Sequence, residues 1–218
     1  MPTIDFGSAQ PLGAAPTGWN YASSDSKVAK ERAAAFDGTG NEVASQLHNQ
    51  RTNVQFELEA ATSSNVSVPF SIGDVVNGYL IENFSIRTVR NNFARISGSC
   101  HQHNANAHSG TEKSVATGIA DFPGYGATDF MGGTAGGNAA VETGEITCGC
   151  THVDEQDGVG NHLVGENSNP RLSAATLWTG VPSADAGSSW DVTESGAATD
   201  REGFKKYGVT GEKALAFS

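Results

Sequence analysis

Cysteine is scarce in this chain, with three in 218 residues. An odd count leaves at least one thiol without a partner in the chain, and Cys148 and Cys150 stand too close together for easy disulfide geometry. A reducing compartment during folding therefore fits better than a disulfide scaffold. Charge is also sparse at 17%, and basic residues are the rarer kind, 13 against 24 acidic ones, for a net charge of −11. Tight or sequence-specific nucleic-acid binding needs a basic stripe. The densest basic stretches, Lys27 to Arg32 and Arg201 to Lys206, do not make one. No apolar run approaches the roughly 20 residues of a membrane-spanning helix. The N-terminal residues show no charged and then apolar leader pattern, so neither a secretory signal nor a membrane partner is expected.

Sequence motifs of catalysis are missing as well. There is no Gly-x-Ser-x-Gly elbow. Gly208 to Lys213 lacks the spacing of a phosphate-binding loop, and Gly132 to Gly137 is not set between a strand and a helix. Acids such as Glu57, Glu59, Glu145, Asp154, Glu155 and Asp157 read as solvent-facing strand residues more readily than as acid–base pairs. No catalytic residue and no cofactor-binding residue is named on these grounds, and the chain is not expected to be an enzyme.

What the chain does have is glycine, 27 residues of it, among many small polar residues. Such a composition favours short strands joined by turns. Val54, Phe56, Leu58 and Ala60 alternate with Gln55, Glu57 and Glu59, the pattern of a half-buried strand. Tyr79 to Val89 and Phe93 to His103 flank Arg90-Asn91-Asn92, a turn signal that predicts a hairpin. Glu145 to Val153 and Arg171 to Trp178 predict a second hairpin around a polar excursion from Asp154 to Asn169. Both returning strands carry an Arg-aliphatic-Ser signature, at Arg95-Ile96-Ser97 and Arg171-Leu172-Ser173, and both arginines are expected to meet acids across the sheet or across a subunit boundary. Trp190 to Thr193 and Lys213 to Phe217 read as closing strands. Asp25 to Phe36 has helix propensity and a capping Ser24 or Asp25, which predicts one short helix ended by Asp37 to Asn41. Residues 37 to 52 and 118 to 144 read as long loops, the second of them Gly-rich, of a kind that reaches a neighbouring subunit.

The expected fold is thus mainly β: an antiparallel β-sandwich or barrel with two similar hairpins, one short helix, an extended N-terminal arm and long Gly-rich loops. Residues 1–24 form the arm, with Trp19 and Tyr21 as anchors docked on a neighbour, and residues 25–218 form a single β-rich domain.

One cluster carries metal chemistry on its face. His101 and His103 stand at i and i+2 of a strand and so point to one side. His108 curls back from the following loop, and His152 or His162 completes a set of imidazoles. The competing reading is a polar loop that collects histidines without an ion, so no cofactor is expected. Ile146, Cys148, Cys150 and His152 share a strand face, which reads as buried small residues. The segment from Gly98 through His101-Gln102-His103, with Gly158 to His162 and Asn167 as a loose second motif, partly resembles the cupin pattern. It departs from that pattern where a Glu should follow His103. That resemblance implies a metal-dependent β-barrel enzyme using His101, His103 and His162.

Over most of its length the layout resembles phage virion β proteins, and tail tube subunits in particular. The carriers are the two hairpins, the helix at Asp25 to Phe36 and the loops at 37 to 52 and 118 to 144. The resemblance implies a structural protein of the virion, assembled in the host cytoplasm. Its partners would be copies of itself in stacked rings or a tube, and other virion structural proteins, around an acidic lumen through which DNA passes without adhering. A third class is a carbohydrate- or cell-surface-binding sandwich in which Trp19, Tyr125, Trp178 and Trp190 stack on sugar rings.

Overall fold

The structure is a computed structural model that describes residues 10, 12–103, 108, 112–119, 121–157, 162–199 and 205–217. Among these residues there are eleven strands and no helix. They are β1 (Trp19–Phe36), β2 (Glu42–Ala60), β3 (Asn65–Val66), β4 (Val75–Val76), β5 (Tyr79–Val89), β6 (Arg95–His103), β7 (Phe122–Pro123), β8 (Ala140–Gln156), β9 (His162–Thr179), β10 (Asp191–Thr199) and β11 (Lys205–Ala214). One antiparallel sheet runs in the order β1-β2-β6-β5-β8-β9-β11-β10, with β4 paired to β5, and β3 pairs with β7 in a separate two-stranded sheet. The sheet is open at β1 and β10, so it is sandwich-like and not a closed barrel.

One face of the sheet builds the core. Val54, Phe56, Leu58 and Ala60 of β2 lie on it together with Phe84, Ile86, Ile96, Ile146, Leu172 and Trp178, all buried. Loop residues Leu12, Phe70, Ile72 and Met131, with Val66 and Phe122 of the small sheet, form the covering layer. Phe70 inserts edge-on between Phe56 and Phe84, with ring centroids 5.6 and 5.9 Å away. Each such buried ring or branched side chain contributes about 1.5–3 kcal/mol. The cover comes close to the sheet at Gly144, where an added Cβ would lie 1.8 Å from the Thr128 carbonyl oxygen. There Thr88 Oγ1 accepts from Thr128 N at 3.0 Å and donates to the Gly144 carbonyl at 3.2 Å.

The opposite face is polar and made of small side chains. Ser85 and Ser97 hydroxyls meet at 2.9 Å, and Ser99 donates to Asn83 at 3.2 Å. Arg95, the first residue of β6, bonds Glu57 at 2.9 Å and Glu59 at 2.7 Å on β2. The pairing expected for this arginine is therefore within the sheet. Arg171 stands in register with Gly149 and Ala214, inside β9 and not at its start.

Several expectations are corrected. Asp25 to Phe36 is not a helix: it belongs to β1 and pairs along almost its full length with β2. The segment has no apolar stripe at helical spacing, and Val28 and Phe36 stay exposed, so its modest helix propensity meets nothing to pack on and strand pairing wins. Asp37 to Asn41 closes that hairpin. Asp37 Oδ1 accepts from the Thr39 hydroxyl at 2.7 Å and from the amides of Asn41 and Thr39, each at 2.9 Å, which holds its carboxyl down at about 2. Most of the expected loop from 37 to 52 is therefore strand. The excursion from Asp154 to Asn169 is largely strand too, because β8 and β9 run on to residues 156 and 162. Trp19 is not an anchor for a neighbour. It is buried in the chain's own core, its Nε1 donating to the Ser67 carbonyl at 3.0 Å. Tyr21, the other expected anchor, also packs against this core, and residues 1–9 and 11 of the arm lie outside the described residues.

Candidate metal centre

The sheet brings five of the six histidines together. His101 and His103 end β6, and His152 stands near the tip of β8 two residues before Asp154. His162 opens β9, and His108 comes from the segment after β6, its amide donating to the Gly78 carbonyl at 3.3 Å. His101, His103, His108 and His162 are buried. These four are the residues singled out in the sequence as candidate metal ligands, and the fold places all of them in one cluster with His152. His48, the sixth, lies away on β2 beside Glu31.

Two irregularities in the sheet aim the surrounding groups. Between β5 and β6, Ile81 pairs with Cys100 and Asn83 with Ser99, which leaves Glu82 as an extra residue. A bulge of this kind redirects a side chain. Glu82 Oε1 thus reaches His101 Nδ1 at 3.1 Å. Between β8 and β9 the register shifts at Gly149/Thr151, next to Asn169 with its positive φ of 58°. Beyond that shift Asn167 is the direct partner of His152, and their side chains meet at 2.7 Å between Oδ1 and Nδ1. Leu80, fully buried but outside the contiguous apolar core, is the partner of His101. Partners in an antiparallel ladder project to one side, so His101 and Leu80 project away from Ile81 and Cys100.

Asp154 is the hub. Its Oδ1 lies 2.7 Å from His152 Nε2 and 3.1 Å from His162 Nε2, and its Oδ2 lies 2.9 Å from His103 Nε2 and 3.5 Å from His101 Nε2. His108 Nε2 is 3.1 Å from His101 Nε2, and His108 Nδ1 is 3.0 Å from Glu112 Oε1. The His103 and His162 rings stack 4.4 Å apart. Two donor sets with metal-like spacing share Asp154: His101, His108, His152 and Asp154, and His103, Asp154 and His162.

The electrostatics are divided. Burial works to lower His101, but hydrogen bonds from Asp154 and Glu82 outweigh it and lift the ring to about 9. His152 is raised in the same way, against burial, by Asp154 and Asn167. Burial pushes His103 down and His108 to about 4, against the pull of their carboxylate partners. Burial would raise Asp154, yet hydrogen bonds from His101, His152 and His103 hold it far below the usual carboxylate range. The site is a dense meeting of imidazoles around one buried carboxylate.

Asp154 was read from the sequence as a solvent-facing acid. Its side chain is only 13% exposed. Glu82, Glu112 and Asn167 were not recognised as supports for the histidines. His152-x-Asp154 repeats the i, i+2 spacing of His101-x-His103, and that parallel was the available signal. Neither donor set contains a thiol; Cys100 and Cys148 lie in the apolar core, where burial pushes them up to about 12, and Cys150 packs against it, pushed up to about 11. No protein-family model matches this chain, and no curated protein matches it.

Proposed function

We propose that this chain is a structural, self-assembling subunit that forms a ring or tube by continuing its sheet from one copy to the next, in the manner of a phage tail tube subunit. The observation that carries the reading is the pair of open sheet edges. β1 and β10 lie at opposite ends of the strand order, and all nine residues of β10 are exposed. A long free edge invites pairing with another strand. Joining two different edges is a head-to-tail contact, which closes into a ring when the rotation allows. The β1–β2 hairpin adds exposed apolar side chains at Val28, Phe36, Val43 and Leu47, a surface suited to a neighbouring copy or another virion protein. The polar sheet face, with Gln55, Glu57, Asn83, Ser85 and Ser99 along one groove, suits the lining of an acidic lumen that repels phosphate.

The alternative catalytic reading, a metal-dependent enzyme, would rest on a metal with an open coordination position at the histidine cluster. The carbohydrate reading loses two of its four aromatics to the core, since Trp19 and Trp178 are buried.

Light scattering and negative-stain microscopy of the purified full chain test the proposal. Rings or tubes are expected, with Val192→Lys plus Ala197→Lys on β10 reducing them to folded monomers. A wild-type chain that remains monomeric at its highest soluble concentration overturns the reading.

A further inference from the structure

Hydrogen bonds on the outside of the histidine cluster fix which atom of each ring faces in. The Glu82 and Glu112 carboxylates accept from Nδ1 of His101 and His108. Asn167 cannot turn over, because its Nδ2 donates to the carbonyls of Gly73 at 3.3 Å and Lys113 at 2.7 Å. Its Oδ1 therefore accepts from His152 Nδ1. All three rings carry a proton on Nδ1 and, when neutral, turn a lone pair inward at Nε2. There the lone pairs meet other acceptors. His101 Nε2 faces His108 Nε2 at 3.1 Å, and His152 Nε2 faces Asp154 Oδ1 at 2.7 Å. Acceptors opposed at these distances in a buried site repel unless a proton or a metal ion lies between them.

We propose that the cluster binds one divalent transition-metal ion per chain, through Nε2 of His101, His108 and His152 and the carboxylate of Asp154. The assignment stands independently of the assembly reading above. These four donor atoms lie within 4.8 Å of one another. Donors about 2.1 Å from an ion sit ~3.0 Å apart at octahedral angles and ~3.4 Å apart at tetrahedral ones. The separations of 3.1 Å from His101 Nε2 to His108 Nε2 and 3.5 Å from His101 Nε2 to Asp154 Oδ2 match, and the 2.7 Å between His152 Nε2 and the other carboxylate oxygen, Oδ1, opens slightly on binding. Imidazole with a single carboxylate suits zinc, cobalt, nickel or ferrous iron. It does not suit calcium or magnesium, which take mostly oxygen. Each ligand histidine is held on its outer nitrogen by a carboxylate or amide, the arrangement that orients imidazoles toward a metal. His103 and His162, at 2.9 and 3.1 Å from the Asp154 oxygens, orient that carboxylate. The ion would clasp three separate pieces of chain: the end of β6, the segment bearing His108, and the β8–β9 hairpin.

The test loads the full chain with Zn²⁺ or Co²⁺, desalts it and measures bound metal by mass spectrometry, with the Co²⁺ visible spectrum recorded on the same wild-type sample. One equivalent and a nitrogen-ligated Co²⁺ spectrum are expected. His48→Ala should keep the metal, while His108→Ala and Asp154→Asn should each retain less than about a tenth as much. A wild-type chain that keeps less than about a tenth of an equivalent, or shows only the aquo-Co²⁺ spectrum, overturns the proposal whether or not the variants fold. Undiminished binding by folded His108→Ala and Asp154→Asn also overturns it, and two equivalents would replace it with an Asp154-bridged pair of ions.

Discussion

His101 and His108 face each other through Nε2 at 3.1 Å while each ring is held from behind by a glutamate, Glu82 for one and Glu112 for the other. The two glutamates lie on different elements, one on a β5 bulge and one after β6, yet they perform the same task. Each fixes a tautomer and keeps its ring from turning away.

If those glutamates act by orientation, Glu82→Gln and Glu112→Gln should leave the fold intact and weaken metal binding by about 10–100-fold each. Competition titration with a chelator of known affinity measures this. Unchanged affinity in both variants would remove the supporting role assigned to them.

The metal-free protein should lose stability on both sides of neutrality. His101 is raised from 6.5 to about 9, so its contribution is complete below 6.5 and is lost as pH rises through 9. His108 is lowered from 6.5 to about 4, so its contribution is complete above 6.5 and is lost as pH falls toward 4. Asp154 adds to the acid loss, because protonation breaks its contacts with the rings. Melting temperature in chelator should peak between these limits and fall by several degrees on each side. Bound metal should flatten the alkaline side, where the ion replaces the proton. A melting temperature constant from pH 5 to 9 in chelator would contradict this account.

Gly144→Ala should destabilise the chain by about 1–3 kcal/mol or more, because the new methyl meets the Thr128 carbonyl at 1.8 Å. Gly196→Ala is the control, since nothing lies within 4 Å of its added carbon. Urea unfolding of the two variants compares them directly, and equal midpoints would show that the loop over Gly144 is not tightly seated.

Alternation made the second half of β2, from Val54 to Ala60, legible, and the Arg90-Asn91-Asn92 turn made the β5–β6 hairpin legible; β5 spans Tyr79–Val89 as the pattern indicates, and Asn91 takes the positive φ of 65° that such a turn uses. The β1–β2 hairpin was not legible, because Lys27 to Ala35 is locally helix-favouring and its partner strand supplies the deciding interaction from across a turn. The histidines were visible as a group, but their meeting with Asp154 depends on the bulge at Glu82 and the register shift near Asn169, and neither leaves a mark in composition or spacing. Asp154 therefore read as an ordinary surface acid.

The seating of β6 between β2 and β5 has a kinetic consequence. β5 and β6 are joined by a short turn, whereas the β2–β6 seam pairs Arg51 with His103 across the whole intervening chain. Loop closure favours the local hairpin, so β5–β6 forms early and the β1–β2 hairpin docks onto it afterwards. Pulse-labelled refolding should protect the amides of Ser85 and Ser97 before those of Gln55 and Glu57. Until that seam closes, the hydrophobic side chains of Val54, Phe56 and Leu58 are exposed to water, and aggregation during synthesis is most easily started there.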